Sequence, residues 1–213
     1  MTGQLIQSLE STRMLAIIRG TNAGASVRTA LALLDSGFLH LEISLTTDDA
    51  LGVIATVARE APAGSFVGAG TVLTVDDVHR VRDAGGTFAV TPAVAASVAE
   101  SARLGFPVIA GALTPTEAVS AMEQGAVAVK LFPASIGGPP YLKALRDPLP
   151  GVPFIPVGGV GVQQAGEYLS AGAVAVGLGS PLVGDAAAAG GSLDGLRERA
   201  ARFHDAVAPF LGR

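Results

Sequence analysis

Eight short apolar runs recur along the 213-residue chain, and each is followed by a stretch with helical spacing. The runs are Leu15–Ile18, Leu39–Ile43, Phe66–Ala69, Phe88–Val90, Val108–Ala110, Val127–Phe132, Phe154–Val157 and Val174–Leu178. They start at intervals of roughly 20–27 residues, the length of one strand-plus-helix unit. Near-continuous apolarity within each run suits strands buried on both faces of a parallel sheet. Eight such units in roughly 200 residues favour closure into a (β/α)8 TIM barrel of the α/β class. An open doubly wound sheet is the other arrangement of the same pattern. Residues 1–213 are read as a single barrel domain. Gln4–Ser11, ahead of the first run, is expected to form a short N-terminal helix closing one end of the barrel.

The punctuation between runs agrees. Thr114-Pro115-Thr116-Glu117 has the form of a capping box with proline at the first helical position. Thr74-Val75-Asp76-Asp77 is a similar start with acid in the first turn. Gly37, Gly86, Gly105, Gly125 and Gly172 stand where helices should stop before a strand. The segment Gly125-Ala-Val-Ala-Val-Lys130 recurs as Gly172-Ala-Val-Ala-Val-Gly177, about two units further on. The small-residue stretch 186–192 reads as a loop before a last helix.

Composition narrows the chemistry. Hydrophobic residues make up 49% of the chain, yet no apolar run reaches eighteen residues, so no membrane span is expected. The polar start MTGQLIQSLESTR does not have the pattern of a secretory signal, and a cytoplasmic protein is expected. There is no cysteine, which removes thiolate nucleophiles, disulfides and cysteine metal sites. The three histidines, His40, His79 and His204, show no metal-ligand spacing, so neither a metal nor another cofactor is expected. His79 and His204 are read as surface residues and His40 as a barrel residue. A net charge of −4, without basic clusters, argues against nucleic acid as a partner.

In such barrels the active site forms where the strands end. The polar residues that finish the runs are Arg19, Glu42, Thr71, Thr91-Pro92, Lys130, Gly158-Gly159 and Gly179-Ser180. Side chains alternate along a strand. Lys130 is therefore expected to share the inner face with Ala128 and Ala126, with Val127, Val129 and Leu131 turned outwards. Burial there disfavours the ammonium and favours a neutral amine able to attack a ketone carbonyl. The alternative is a lysine merely paired with an inward acid, or one reaching out to solvent. Glu42 is inward by the same parity and suits either that pairing or general acid–base catalysis. The glycines and Ser180 after runs seven and eight form the usual phosphate position of such barrels, or are simple turns. Arg19 would reach phosphate or carboxylate, or else stay on the surface.

Taken together, these residues resemble a known family. Leu15-Ala-Ile-Ile-Arg19-Gly, Leu41-Glu42-Ile-Ser, Gly68-Ala-Gly-Thr71-Val-Leu, Val90-Thr-Pro92, Val129-Lys130-Leu-Phe132-Pro133, Val157-Gly158-Gly159-Val and Gly177-Leu-Gly-Ser180 look like the 2-keto-3-deoxy-6-phosphogluconate and 4-hydroxy-2-oxoglutarate aldolases. The resemblance runs from about Leu15 to Leu182, with motifs in order and at family spacing. It implies a metal-free class I aldolase, a carbon–carbon lyase, in which Lys130 forms a Schiff base and Glu42 moves protons. It implies that Thr71 and Pro92 contact the pyruvoyl part and that Phe132 packs over it. Gly158, Gly159, Gly179 and Ser180 would hold phosphate. The products would be pyruvate and D-glyceraldehyde 3-phosphate, made by a cytoplasmic homotrimer.

The chain departs from the family at two places. Phosphogluconate-type members usually carry arginine where Thr46 stands, so carboxylate binding must differ, with Arg19 or backbone amides as candidates. They often carry threonine where Val157 stands. The block Pro133–Leu145 resembles the 6-phosphogalactonate branch. Both C4 epimers stay open at this point. So do cleavage of 4-hydroxy-2-oxoglutarate or an unphosphorylated 2-keto-3-deoxy acid, a phosphosugar isomerase-like barrel without Schiff-base chemistry, and a non-catalytic binding barrel.

Overall fold

Each apolar run forms a parallel strand in the computed structural model, which describes residues 2–212. The strands are β1 (Met14–Ile18), β2 (His40–Ser44), β3 (Phe66–Gly70), β4 (Ala89–Val90), β5 (Val108–Ala112), β6 (Ala128–Leu131), β7 (Phe154–Pro156) and β8 (Val176–Leu178). Helix α1 (Thr2–Thr12) precedes β1. Helices α2 (Ala23–Asp35), α3 (Ala50–Glu60), α4 (Val75–Asp83), α5 (Ala96–Arg103), α6 (Pro115–Glu123), α7 (Gly138–Arg146) and α8 (Val162–Ser170) follow β1 to β7 in turn. Short α9 (Ser180–Val183) and long α10 (Leu193–Val207) follow β8, with the expected loop over 186–192 between them.

The strand order is β7-β6-β5-β4-β3-β2-β1-β8. The end strands meet through a parallel bridge between Val157 and Gly177, and the Val174 N–H donates to the Phe154 carbonyl at 3.0 Å. The sheet therefore closes into a barrel, with its thinnest seam between β7 and β8, rather than staying open. Three strands lie between β2 and β6 in either direction round the ring, so the two face each other across it.

Apolar side chains form two layers. Leu15, Ile17, Val90, Ile109, Ala128 and Ile155 fill the lumen, together with Leu5 and Leu9 of α1. That pair, four residues apart on one helical face, plugs the N-terminal end as expected. A larger layer containing Ile18, Leu41, Ile43, Val129 and Leu131 faces the helices. Inward Ala128 and outward Val129 bear out the alternation next to Lys130. Further back it fails: Ala126 lies in the outer layer, and Val127 packs against the lumen. The strand begins at Ala128, and alternation has force only inside a strand. The internal echo is positional. Ala128 and Ala175 are both inside, and Val129 and Val176 are both outside, so Gly177 holds in β8 the place of Lys130 in β6.

Both capping boxes form. Thr114 Oγ1 accepts from the Glu117 N–H at 3.3 Å, and Glu117 Oε2 accepts from the Thr114 N–H at 2.8 Å. Backbone N–H groups of Thr114 and Leu113 hold the Glu117 carboxyl below the usual carboxylate range. Thr74 and Asp77 repeat the arrangement at α4. Gly37, Gly105, Gly125 and Gly172 take left-handed conformations after their helices, but at the fourth helix the left-handed residue is Gly85 (φ 86°) and not Gly86.

His40 lies buried at the closed end, where Thr12 Oγ1 and its Nδ1 are 3.1 Å apart and its ring stacks on Phe66. Burial pushes its imidazole down to about 4, and the Met14 backbone offsets only part of that. His204 is half-buried rather than on the surface. Its Nε2 is 2.7 Å from the Ser36 carbonyl oxygen, and its ring stands edge-on to Phe38. His79 pairs with Glu100 at 2.9 Å while keeping much of its ring in solvent.

Candidate active site

The strand ends open into a cavity of about 450 Å³, a usual size for a small-molecule site. Arg19, Thr71, Pro92, Lys130, Phe132, Gly158, Gly159, Gly179 and Ser180 all line it, so the structure brings these candidates to one mouth. Glu42 does not line the cavity and lies one layer deeper. Ile17, Val157, Pro181, Val183 and Gly184 complete the wall. Of these, only Val157 was singled out in the sequence, as a departure from the family. Ile17 lies inside β1, and Pro181, Val183 and Gly184 depend on how the chain folds back after β8.

Lys130 sits in β6 between Gly111 of β5 and Ile155 of β7. Its Nζ is 3.5 Å from Glu42 Oε1, and the two side chains are 8% and 2% exposed. The pair thus bridges the lumen between opposite strands. Glycines make this possible. A Cβ at Gly70, next to Ser44 in the sheet, would overlap the Glu42 carboxylate. A Cβ at Gly111 would overlap the Pro92 carbonyl. The second carboxylate oxygen, Oε2, is buried and has no hydrogen-bond partner among the described residues. A buried carboxylate with an unused oxygen beside an amine is placed to take and return protons.

The Phe132 ring lies 5.4 Å from Lys130 Nζ, within cation–π range, and roofs the cavity edge. Gly158 (φ 99°) fits beneath that ring, where a Cβ would press on it. Thr91, buried at the end of β4, accepts from the Gly111 N–H at 3.1 Å and donates to the Ala93 carbonyl at 2.6 Å, fixing the turn that carries Pro92.

On the opposite wall, among the described residues, the N–H groups of Gly159, Gly179 and Ser180 find no acceptor in the protein. Such free N–H donors suit an anion. Exposed Arg19 stands on the same rim and forms no ion pair among the described residues. Arg199 of α10, which sequence reading missed, donates from Nε to the Leu182 carbonyl (2.7 Å) and from Nη2 to the Val183 carbonyl (2.8 Å), bracing α9 from behind. Thr46 is linked to the cavity wall through the buried Ser44 hydroxyl, another connection that sequence reading missed.

Among the described residues no group of three or more His, Asp or Glu side chains is arranged to hold a metal ion, and no helix is long and apolar enough to cross a membrane.

The family model described as KDPG and KHG aldolase, where the letters stand for the two keto acids named above, matches residues 5–196. A protein of Rhizobium meliloti (strain 1021), named probable 2-dehydro-3-deoxy-6-phosphogalactonate aldolase, is 40% identical over 171 residues, covering 79% of this chain and 81% of its own. A solved structure described as native KDPGal superposes with a TM-score of 0.86 at 32% identity, over 94% of this chain and 96% of that one. A Legionella pneumophila KDPG aldolase, with pyruvate captured as a covalent carbinolamine, gives a TM-score of 0.79 at 26% identity, over 97% and 98% of the two chains. With its motifs gathered at one barrel mouth and most of its length matched, the chain belongs to the KDPG and KHG aldolase family of carbon–carbon lyases.

Proposed function

We propose that the chain is a class I aldolase that forms its Schiff base on Lys130 and cleaves 2-keto-3-deoxy-6-phosphogalactonate to pyruvate and D-glyceraldehyde 3-phosphate. The observation that carries this reading is the buried Lys130–Glu42 pair at 3.5 Å, beneath a cavity whose far wall offers unpaired backbone donors.

Glu42 takes a proton from the Lys130 ammonium, and the neutral amine attacks the C2 carbonyl of the substrate. Glu42 then delivers a proton to the carbinolamine hydroxyl, which leaves as water and gives the iminium. Removal of the C4 hydroxyl proton breaks the C3–C4 bond. The electron pair moves onto the iminium as an enamine, and the aldehyde departs. Protonation at C3 and addition of water release pyruvate and the amine. One carboxyl group serves these transfers directly or through a single water. Thr71 and the Pro92 turn take the pyruvoyl end, and Phe132 covers it. Gly158, Gly159, Gly179 and Ser180 take the phosphate.

The galacto epimer is favoured by Val157, which lines the cavity where gluconate-type members often carry threonine, and by the names of two of the three relatives above. A second reading, cleavage of 4-hydroxy-2-oxoglutarate, draws on Arg19, whose exposed guanidinium suits a distal carboxylate as well as a phosphate. The proposal extends to a cytoplasmic homotrimer. Half-exposed Leu73, Val75 and Val119 are apolar surface of the kind that subunit contacts cover.

A substrate panel tests the reading. Both phosphorylated C4 epimers, their unphosphorylated forms and 4-hydroxy-2-oxoglutarate are compared by kcat/KM. The phosphorylated galacto epimer should lead, and loss of phosphate should lower kcat/KM by about 100-fold. Equal use of the unphosphorylated acid would remove the phosphate assignment.

A further inference from the structure

The chemistry above leaves unused a buried polar residue that lies behind the cavity wall and touches it through Thr71. Ser44 ends β2 two residues beyond Glu42, on the same inward face, and is fully buried. Its hydroxyl is 3.1 Å from Thr71 Oγ1, which lines the cavity, and 2.8 Å from Thr46 Oγ1, which is exposed. The Thr46 N–H also reaches Ser44 Oγ, at 3.4 Å. Ser44 pairs with Gly70 in the sheet, and Thr71 follows Gly70 directly. Thr71 holds φ at 62°, a left-handed conformation that is an outlier for a β-branched residue. Such a conformation persists where the surroundings over-determine it, and the Ser44 link is the hydrogen bond that the Thr71 side chain makes here.

We infer that Ser44 is a positioning residue for substrate: it fixes the Thr71 hydroxyl so that its proton points at the substrate carboxylate. Donor counting allows this direction, since either oxygen can donate in both hydroxyl pairs. A serine hydroxyl has one proton and two acceptor sites. When the Thr46 N–H and O–H both donate to Ser44 Oγ, the single Ser44 proton goes to Thr71 Oγ1. Thr71 then accepts from behind and its own proton is left for the cavity. An anion in the cavity selects this orientation of the chain, and each bond in it polarises the next. Carboxylate recognition at this corner is therefore done by a neutral three-hydroxyl relay that starts at an exposed residue and ends at the ligand.

This inference rests on the Schiff-base reading and on pyruvate as the carboxylate that Thr71 meets. The test is the hydrogen–deuterium exchange at pyruvate C3, followed by NMR with the whole protein. It reports carboxylate binding and enamine formation without needing the phosphate wall. In Ser44→Ala the KM for pyruvate should rise about tenfold with the exchange kcat within about threefold of wild type. Thr46→Val, a change at an exposed position, should raise KM in the same direction by a smaller factor. Adding Ser44→Ala to Thr71→Val should change KM no further, because the relay then has no terminus. An unchanged KM in Ser44→Ala, a loss confined to kcat, or full additivity with Thr71→Val would overturn the inference. Should Ser44→Ala lose its cooperative thermal transition, Thr46→Val decides, and an unchanged KM there overturns the relay. Absence of exchange in the wild-type protein would instead overturn the Schiff-base reading, and the inference with it.

Discussion

At the scale of single residues, the site depends on two side chains from opposite strands meeting in the lumen, with glycines clearing the space between them. Lys130 offers the amine, and Glu42 keeps one oxygen on that amine and one unpaired. Glu42→Gln keeps the size of the side chain and removes its ability to carry a proton. The kcat should fall by about 100-fold or more, while borohydride in the presence of pyruvate still labels Lys130 slowly. Wild-type kcat in that variant would remove Glu42 from the chemistry. The inward direction of both residues was legible in the sequence because both lie inside strands. Alternation misled at Ala126 and Val127, which precede the strand. The Ser44–Thr71 contact was not legible at all, since it depends on a left-handed turn at a threonine, a conformation that residue type argues against.

At the scale of elements, the cavity wall is as firm as what holds α9 in place. Arg199 lies 16 and 17 residues beyond its two acceptors and clamps the last turn of that helix with two short charged hydrogen bonds. The guanidinium lies over Gly184 (φ 57°), where any Cβ would overlap it. Arg199→Met keeps the apolar stem and removes the fork. The KM for the phosphorylated substrate should rise about tenfold, while exchange at pyruvate C3 is unchanged; equal losses in both assays would mean general loosening of the site. Helix starts were legible, because Thr74–Asp77 and Thr114–Glu117 are local signals with local geometry. The end of the fourth helix was readable only to within one residue, since Gly85 and Gly86 both tolerate the conformation. Arg199 carries no local signal, as its contact is made by the packing of a distant helix.

At the scale of the whole molecule, the barrel separates a closed end that supports stability from an open end that supports chemistry. Eight recurring strand-plus-helix units announced the barrel, and the segment before the first run was read as the helix that closes it. The burial of His40 at the closed end, in keeping with its reading as a barrel residue, ties stability to pH. Its folded value of about 4 lies below the ordinary 6.5, so the unfolded chain binds the proton more tightly. The contribution is therefore complete above pH 6.5 and is lost as pH falls from 6.5 towards 4, about 3 kcal/mol in all. Urea unfolding at pH 7 and pH 5 should show wild type losing about 2 kcal/mol more than His40→Gln over that interval. Parallel losses in the two proteins would show that His40 is not responsible.

The claim on which the rest depends is that one lysine, buried opposite Glu42, is the nucleophile. The chain has only two lysines, buried Lys130 and exposed Lys143, so the outcome is unambiguous. Borohydride reduction in the presence of pyruvate, followed by peptide mass spectrometry, should add about 72 Da to the peptide carrying Lys130, the mass of a reduced pyruvate imine. The same treatment of Lys130→Met should add nothing. An adduct on Lys143, or none in the wild-type protein, would contradict the account.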